Sequence, residues 1–252
     1  MEIKNPKRFN WSGEFTSSMQ KAYADDGFLV IDEFVTTSVC EKLLKQSDKL
    51  IDDFNVEAHR VAFSATEQTH AASEYFNNSA TDISFFLEEE AVDGSGNLLK
   101  KKHHAVNKIG HALHELDPVF SNFSYSSDIK KLARGVGLRK PSMIQSMVIC
   151  KQPFIGGEVN IHQDSTFLYT EPESAVGFWV ALEEANINNG CLWVARGGHK
   201  GPLRKLFIRK NNKMEMITLN DQPFEKTETP LEVKKGTLVL LHGRLPHYSC
   251  EN

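Results

Sequence analysis

Apolar residues change their spacing near the middle of this chain. Gly27-Phe28-Leu29-Val30-Ile31 is a compact apolar run after Asp25-Asp26 and predicts a strand. Val39, Leu43, Leu44, Leu50 and Ile51 then recur at near-helical spacing. They follow Thr36-Thr37-Ser38, which offer N-caps, with Glu41 placed for a capping box, so a helix is predicted over 38–54. Ile83-Ser84-Phe85-Phe86-Leu87 predicts a strand, and Val106 to Leu116 and Asp117 to Leu138 predict helices. Beyond Pro141 the helical period gives way to short apolar runs between Gly and Pro turns, at 142–151, 158–164, 175–183, 190–195, 231–242 and 246–250. That succession predicts a β-sandwich or barrel. The intervening stretches are weaker in pattern. Residues 1–20 read as a loose leader ending in a short helix, and 55–80 are polar without a clear period. Asp93 to Asn97 is a turn by composition, and Lys100-Lys101-Lys102-His103-His104 reads as a solvated basic loop.

A helical and mixed first half thus precedes a β-rich second half, with no linker or internal repeat, and a single domain over 1–252 is expected. Hydrophobic residues make up 40% of the chain, enough for a core, and 16 Phe favour an aromatic-rich interior or pocket. The net charge of −4 gives no reason to expect nucleic acid or an anionic membrane as a partner. Cys40, Cys150, Cys191 and Cys250 are widely spaced without a Cys-x-x-Cys, which argues against zinc-ribbon and dithiol redox chemistry and for a reduced setting. Met1 to Phe15 lacks the apolar core of a secretory signal, no apolar run reaches the roughly 18 residues of a membrane span, and the last residues are not a peroxisomal address. An intracellular, cytoplasmic location is expected.

The chemistry concentrates in Gly156-Gly157-Glu158-Val159-Asn160-Ile161-His162-Gln163-Asp164. Residues i and i+2 of a strand project to one face, so His162 and Asp164 point the same way. About 0.5 such His-x-Asp pairs arise by chance at this composition, so the pair alone is as well read as an ordinary strand. Its context strengthens it: a glycine turn before, Phe167-Leu168-Tyr169 after, and a later strand Gly236 to His242 that turns at Gly243 to Pro246 into His247. Two His and one carboxylate form a three-point grip for iron(II) that leaves positions open for a co-substrate and oxygen. On spacing alone either His242 or His247 can be the third ligand.

Several segments, taken together, resemble the phytanoyl-CoA dioxygenase family. They are Asp26 to Val30, Asn107 to His114, Gln145-Ser146-Met147, Gly156-Gly157-Glu158, His162 to Asp164 through Tyr169-Thr170-Glu171-Pro172, Asn189 to Trp193, and Leu241-His242-Gly243. The resemblance runs over about residues 20–250 and implies a mixed, β-core fold, a double-stranded β-helix or jelly roll with flanking N-terminal helices. It implies a non-haem Fe(2+), 2-oxoglutarate-dependent oxygenase that uses O2 on a small-molecule substrate. The iron ligands it implies are His162, Asp164 and His247, with His242 structural. It implies 2-oxoglutarate contacts from Lys108, Met147, Trp179 and Ser249, and Gln163 joins the cofactor-binding set between the two ligands.

Two departures stand out. Ala195-Arg196-Gly197-Gly198-His199 lacks a proline and a serine that the family carries before the histidine. The family also places an arginine on the strand after the distal histidine, against the far carboxylate of 2-oxoglutarate, and Asn252 comes before that position. Loss of one partner of a buried charge pair costs about 2–5 kcal/mol, so a catalytically impaired short form that binds metal without productive 2-oxoglutarate is the alternative expectation. The missing last strand would also expose a sheet edge. A zinc hydrolase on the same triad is a third, weaker reading.

Overall fold

The structure is a computed structural model that describes residues 5–56, 74–93, 97–210 and 213–252. Its elements run β1 (Arg8–Asn10), α1 (Ser17–Asp26), β2 (Phe28–Asp32), α2 (Thr37–Asp53), α3 (Glu74–Asn78), β3 (Ile83–Leu87), α4 (Lys102–Ala105), β4 (Val106–His111), α5 (Leu113–Leu116), α6 (Pro118–Ser124) and α7 (Ser127–Gly135). The second half carries β5 (Ser146–Ile149), β6 (Val159–His162), β7 (Val176–Val180), β8 (Leu192–Val194), β9 (Lys205–Lys210), β10 (Lys213–Thr218), β11 (Thr229–Leu231), β12 (Leu238–His242) and β13 (His247–Ser249). The chain gathers into two compact units, each assembled from separate stretches. One comprises Met1–Cys40, Ser127–Pro141 and Asn160–Ser249, the other Glu41–Ser126, Ser142–Val159 and Cys250–Asn252.

The first unit is built on two four-stranded sheets, ordered β1-β2-β12-β7 and β11-β8-β13-β6. Apolar residues of both sheets meet in one buried cluster: Phe28 and Val30 of β2, Val239 and Leu241 of β12, Leu192 and Val194 of β8, and Leu231 of β11. Both faces of β2 are buried from Phe28 to Ile31, which explains its unbroken apolar run. α1 packs on β2 and buries Met19 and Ala22. Thr16 caps this helix by accepting from Met19 N, and Gly27 ends it at φ +81° with its N–H on Tyr23 O. The leader is less loose than expected, since Arg8–Asn10 pairs in parallel with β2 and Arg8 bridges Asp32.

β9 and β10 form a hairpin in register Lys210↔Lys213 to Lys205↔Thr218, which the sequence reading missed. Its base is fastened by buried Arg204, whose guanidinium donates to the carbonyls of Pro202, Gln222 and Pro223 and to Glu225. The apolar run Leu206-Phe207-Ile208 and the alternation Met214/Met216 on either side of Asn211-Asn212 were the available signal.

The second unit holds the antiparallel sheet β3-β4-β5 with helices about it. β4 corrects an expectation. Val106–His111 was predicted helical, but Val106 and Ile109 are buried between two strand partners, and tertiary pairing overrides the weak helical period. The stretch predicted as one helix over 117–138 is two, with Asp117 capping α6 through Val119 N and Phe120 N and a break at Tyr125-Ser126. The basic run is not a solvated loop either. Lys102 Nζ donates to the carbonyls of Asp52 and Phe54 at the end of α2, and His103 Nε2 meets Asp52 at 2.8 Å. Most of the polar stretch 55–80 and the centre of the 93–97 turn lie outside the described residues. All four cysteines are free thiols.

Candidate metal centre

In the first unit β6 delivers His162, and the chain stays extended through Gln163 (φ −120°, ψ 131°), so Asp164 emerges on the same side as His162 before a short 3-10 turn, Asp164–Thr166. β13 brings His247. The ligand atoms of these three residues lie within 4.8 Å of one another. His162 Nε2 is 3.6 Å and His247 Nε2 3.7 Å from Asp164 Oδ1, and the two imidazole centroids are 4.3 Å apart.

The other ring nitrogens fix which atoms converge. His162 Nδ1 donates to Asn160 O at 2.8 Å and His247 Nδ1 to Leu245 O at 2.9 Å. Each ring therefore turns Nε2 towards the carboxylate, the arrangement by which a carbonyl orients a ligating histidine. The electrostatics agree. Burial works against the Asp164 charge, but His247 and His162 hold its pKa below the usual carboxylate range. Burial and the His162 charge push His247 down, whereas the hydrogen bond and charge of Asp164 outweigh burial and raise His162. A neutral His247 and an ionised Asp164 are ready donors. The donor set of two imidazoles and one carboxylate suits iron(II) and leaves coordination positions free.

The other candidate residues separate. Gln163, between the ligands, faces the opposite way and is fully buried. Its amide donates to Pro202 O and Arg244 O and accepts from Arg204 N. Ser249 shares the inward face of β13 with His247. Trp179 of β7 packs against the buried cluster. Lys108 and Met147 belong to the second unit. Lys108, 9% exposed, lies 4.8 Å from the Phe86 ring centroid, and burial pulls its pKa down to about 7. Met147 is opposite Gly110 on β5 and is 40% exposed. His242 stays outside the triad. Its ring is 5.0 Å from that of His199, its Nδ1 accepts from Arg244 N, and burial lowers its pKa to about 4.

Two neighbours of the triad were not foreseen. Gly177 of β7 lies under Asp164, where a Cβ would come within 3.0 Å of Oδ2. A glycine inside an apolar strand is the sequence signal of such a close approach. Phe167 stands edge-on to His162 with centroids 6.1 Å apart.

A family model described as phytanoyl-CoA dioxygenase (PhyH) matches residues 23–252. An Arabidopsis thaliana protein named phytanoyl-CoA dioxygenase is 42% identical over 241 residues, which are 96% of this chain and 85% of the relative. A Bos taurus protein named phytanoyl-CoA dioxygenase domain-containing protein 1 is 40% identical over 246 residues, covering 94% of this chain and 84% of the relative. Among solved structures, the non-heme alpha ketoglutarate dependent carbocyclase SnoK from nogalamycin biosynthesis superposes with a TM-score of 0.59 at 14% identity, over 94% of this chain and 78% of that one. EctD from S. alaskensis, solved with 2-oxoglutarate and 5-hydroxyectoine, gives 0.57 at 17% identity, over 100% and 73%. The shared architecture is a jelly-roll core with added helices.

Proposed function

The chain belongs to the phytanoyl-CoA dioxygenase family, and from that premise we propose that it is an Fe(2+)- and 2-oxoglutarate-dependent oxygenase that hydroxylates a small organic or acyl substrate and releases succinate and carbon dioxide. The observation that carries this reading is the convergence of His162, Asp164 and His247, with both outer imidazole nitrogens tied to backbone carbonyls. These three residues would hold the iron. Iron bound there supplies the activation of O2, coupled to decarboxylation of 2-oxoglutarate, that oxidises an unactivated C–H bond.

The chain's own groups hold and orient. The two carbonyl tethers hold each imidazole with Nε2 towards the centre of the triad. Ser249 is a hydroxyl donor on the His247 face for a 2-oxoglutarate carboxylate, and Trp179 walls the same unit's interior. Gln163 acts by holding the backbone between the ligands, since its amide is engaged with three backbone groups. The reaction needs no separate general acid or base from the protein.

The test is anaerobic loading with iron(II), addition of 2-oxoglutarate, and then oxygen. We expect one iron per chain, a visible absorption band on 2-oxoglutarate binding, and succinate release. His162→Ala and Asp164→Ala remove all three. Folded, iron-loaded protein that neither binds 2-oxoglutarate nor forms succinate would overturn the proposal, and selective retention of zinc with hydrolysis would replace it.

A further inference from the structure

Three rings run in contact outward from the triad. His162 meets Phe167 at 6.1 Å, and Phe167 meets Phe207 of the β9–β10 hairpin at 5.7 Å. β9 packs on the 3-10 turn that begins with Asp164. Phe167 is nonetheless 47% exposed, so the space beside the ligand histidine is open.

The register of the hairpin decides what else faces that space. Met216 pairs directly with Phe207, and Met214 pairs with Arg209. Side chains alternate along a strand, so Phe207, Arg209, Met214 and Met216 occupy one face together with Lys205, while Glu215 belongs to the other. Phe207, Met214 and Met216 are partly buried, and Lys205 and Arg209 are exposed. The face is therefore an apolar strip of one ring and two thioethers with cations at its margins and no carboxylate. Thioethers adapt to irregular apolar shapes, and an arginine fork suits carboxylate or phosphate.

We propose that this hairpin face is the substrate-recognising wall of the oxygenase, with the carbon skeleton of an anionic, apolar molecule lying along Phe207, Met214 and Met216 and its anionic group at Arg209. The proposal rests on the oxygenase reading. Phe167 carries the wall up to the triad and aligns the nearest part of the skeleton with it. Specificity for skeleton length then resides in the hairpin.

The test uses the full chain with zinc(II) as a redox-silent stand-in, 2-oxoglutarate, and 13C-methyl-labelled methionine. The probes are straight-chain carboxylates of graded length, the matching alkyl phosphates and the matching alcohols. The methyl signals of Met214 and Met216, assigned with Met214→Leu and Met216→Leu, are expected to shift while that of Met19 does not. Affinity should strengthen about fourfold for each methylene laid on the wall. Phe207→Ala should weaken binding by roughly tenfold or more, and Phe207→Leu, which keeps an apolar group in the hairpin, by less. Arg209→Gln should weaken the acids and leave the alcohols unchanged, and the two acid series tell carboxylate from phosphate. Binding that leaves Met214 and Met216 unmoved, indifference to Phe207, equal loss for acids and alcohols in Arg209→Gln, or no binding of any probe at millimolar concentration would overturn the proposal. Chelator competition reports the metal separately. Probe shifts that persist in His162→Ala support the wall, whereas parent protein that binds no metal overturns the oxygenase reading and leaves the wall standing.

Discussion

Gly177 shows how little room the metal centre has at the level of single atoms. A methyl group there would lie 3.0 Å from Asp164 Oδ2 and 3.4 Å from Leu241 Cβ. The carboxylate must give way, because Leu241 is fixed in the core. Gly177→Ala is expected to weaken Mn(II) or Co(II) binding by about tenfold, as disturbance around a ligand typically does, while the melting temperature changes little. Calorimetry and a thermal melt on the same sample measure both. A second residue sets an acid limit. Burial first, and then the charge of Lys108, lower the His111 pKa to about 4 from its ordinary 6.5. Between these values the unfolded chain binds the proton and the folded chain does not, so stability falls on acidification through that window. The slope from this group is at most about 1.4 kcal/mol per pH unit. His111→Gln should flatten it in urea titrations at pH 4.5, 5.5 and 6.5, and an unchanged slope would assign acid lability elsewhere. At this scale the sequence disclosed His162 and Asp164 by their two-residue spacing, but could not separate His242 from His247 without the family resemblance. The two lie at opposite ends of one turn, and only the backbone path sends His247 inward and His242 towards His199.

Elements succeed or fail here by their ends. α1 stops because Gly27 adopts φ +81°, and the same residue leaves space for the His199 ring, since a Cβ would fall 2.3 Å from His199 Nδ1. Gly27→Ala therefore combines a left-handed backbone penalty of about 1–2 kcal/mol with a clash against His199. A total loss above about 2 kcal/mol is expected in urea denaturation. His199→Ala should recover part of the clash component. No recovery would mean that the backbone penalty alone accounts for the loss. The amphipathic helix α2 and the apolar strands β2 and β3 were legible, each within a residue of where the spacing put it. β4 was not, because Val106-Asn107-Lys108-Ile109-Gly110-His111 carries neither clean alternation nor an apolar run. Its extended form is imposed by β3 and β5 on either side. The hairpin β9–β10 was missed for a different reason. Its lysines and arginine dilute the alternation that Phe207, Met214 and Met216 supply on one face.

Across the molecule, a sandwich or barrel was readable from the rhythm of short strands after Pro141, and its jelly-roll form only from the family resemblance. The assignment of chain to units was not, because each unit is assembled from stretches far apart in sequence. Among the described residues no helix is long and apolar enough to cross a membrane. A metal that binds the folded triad and not the unfolded chain must raise overall stability. At a free metal concentration 100 times the dissociation constant the gain is about 2.7 kcal/mol. For a chain of this size that is a rise in melting temperature of roughly 5–10 °C. Cobalt(II) should produce it in the parent protein and fail to produce it in His162→Ala, and an equal rise in both would place the ion elsewhere. Gln163 has a consequence for redesign. Because its amide ties the backbone between the ligands to Pro202, Arg204 and Arg244, the root of the hairpin and the metal grip form one inherited chassis. A laboratory library that shuffles Leu206 to Ile217 and leaves Pro202, Arg204 and Gln163 untouched would trade appetites without retuning the engine.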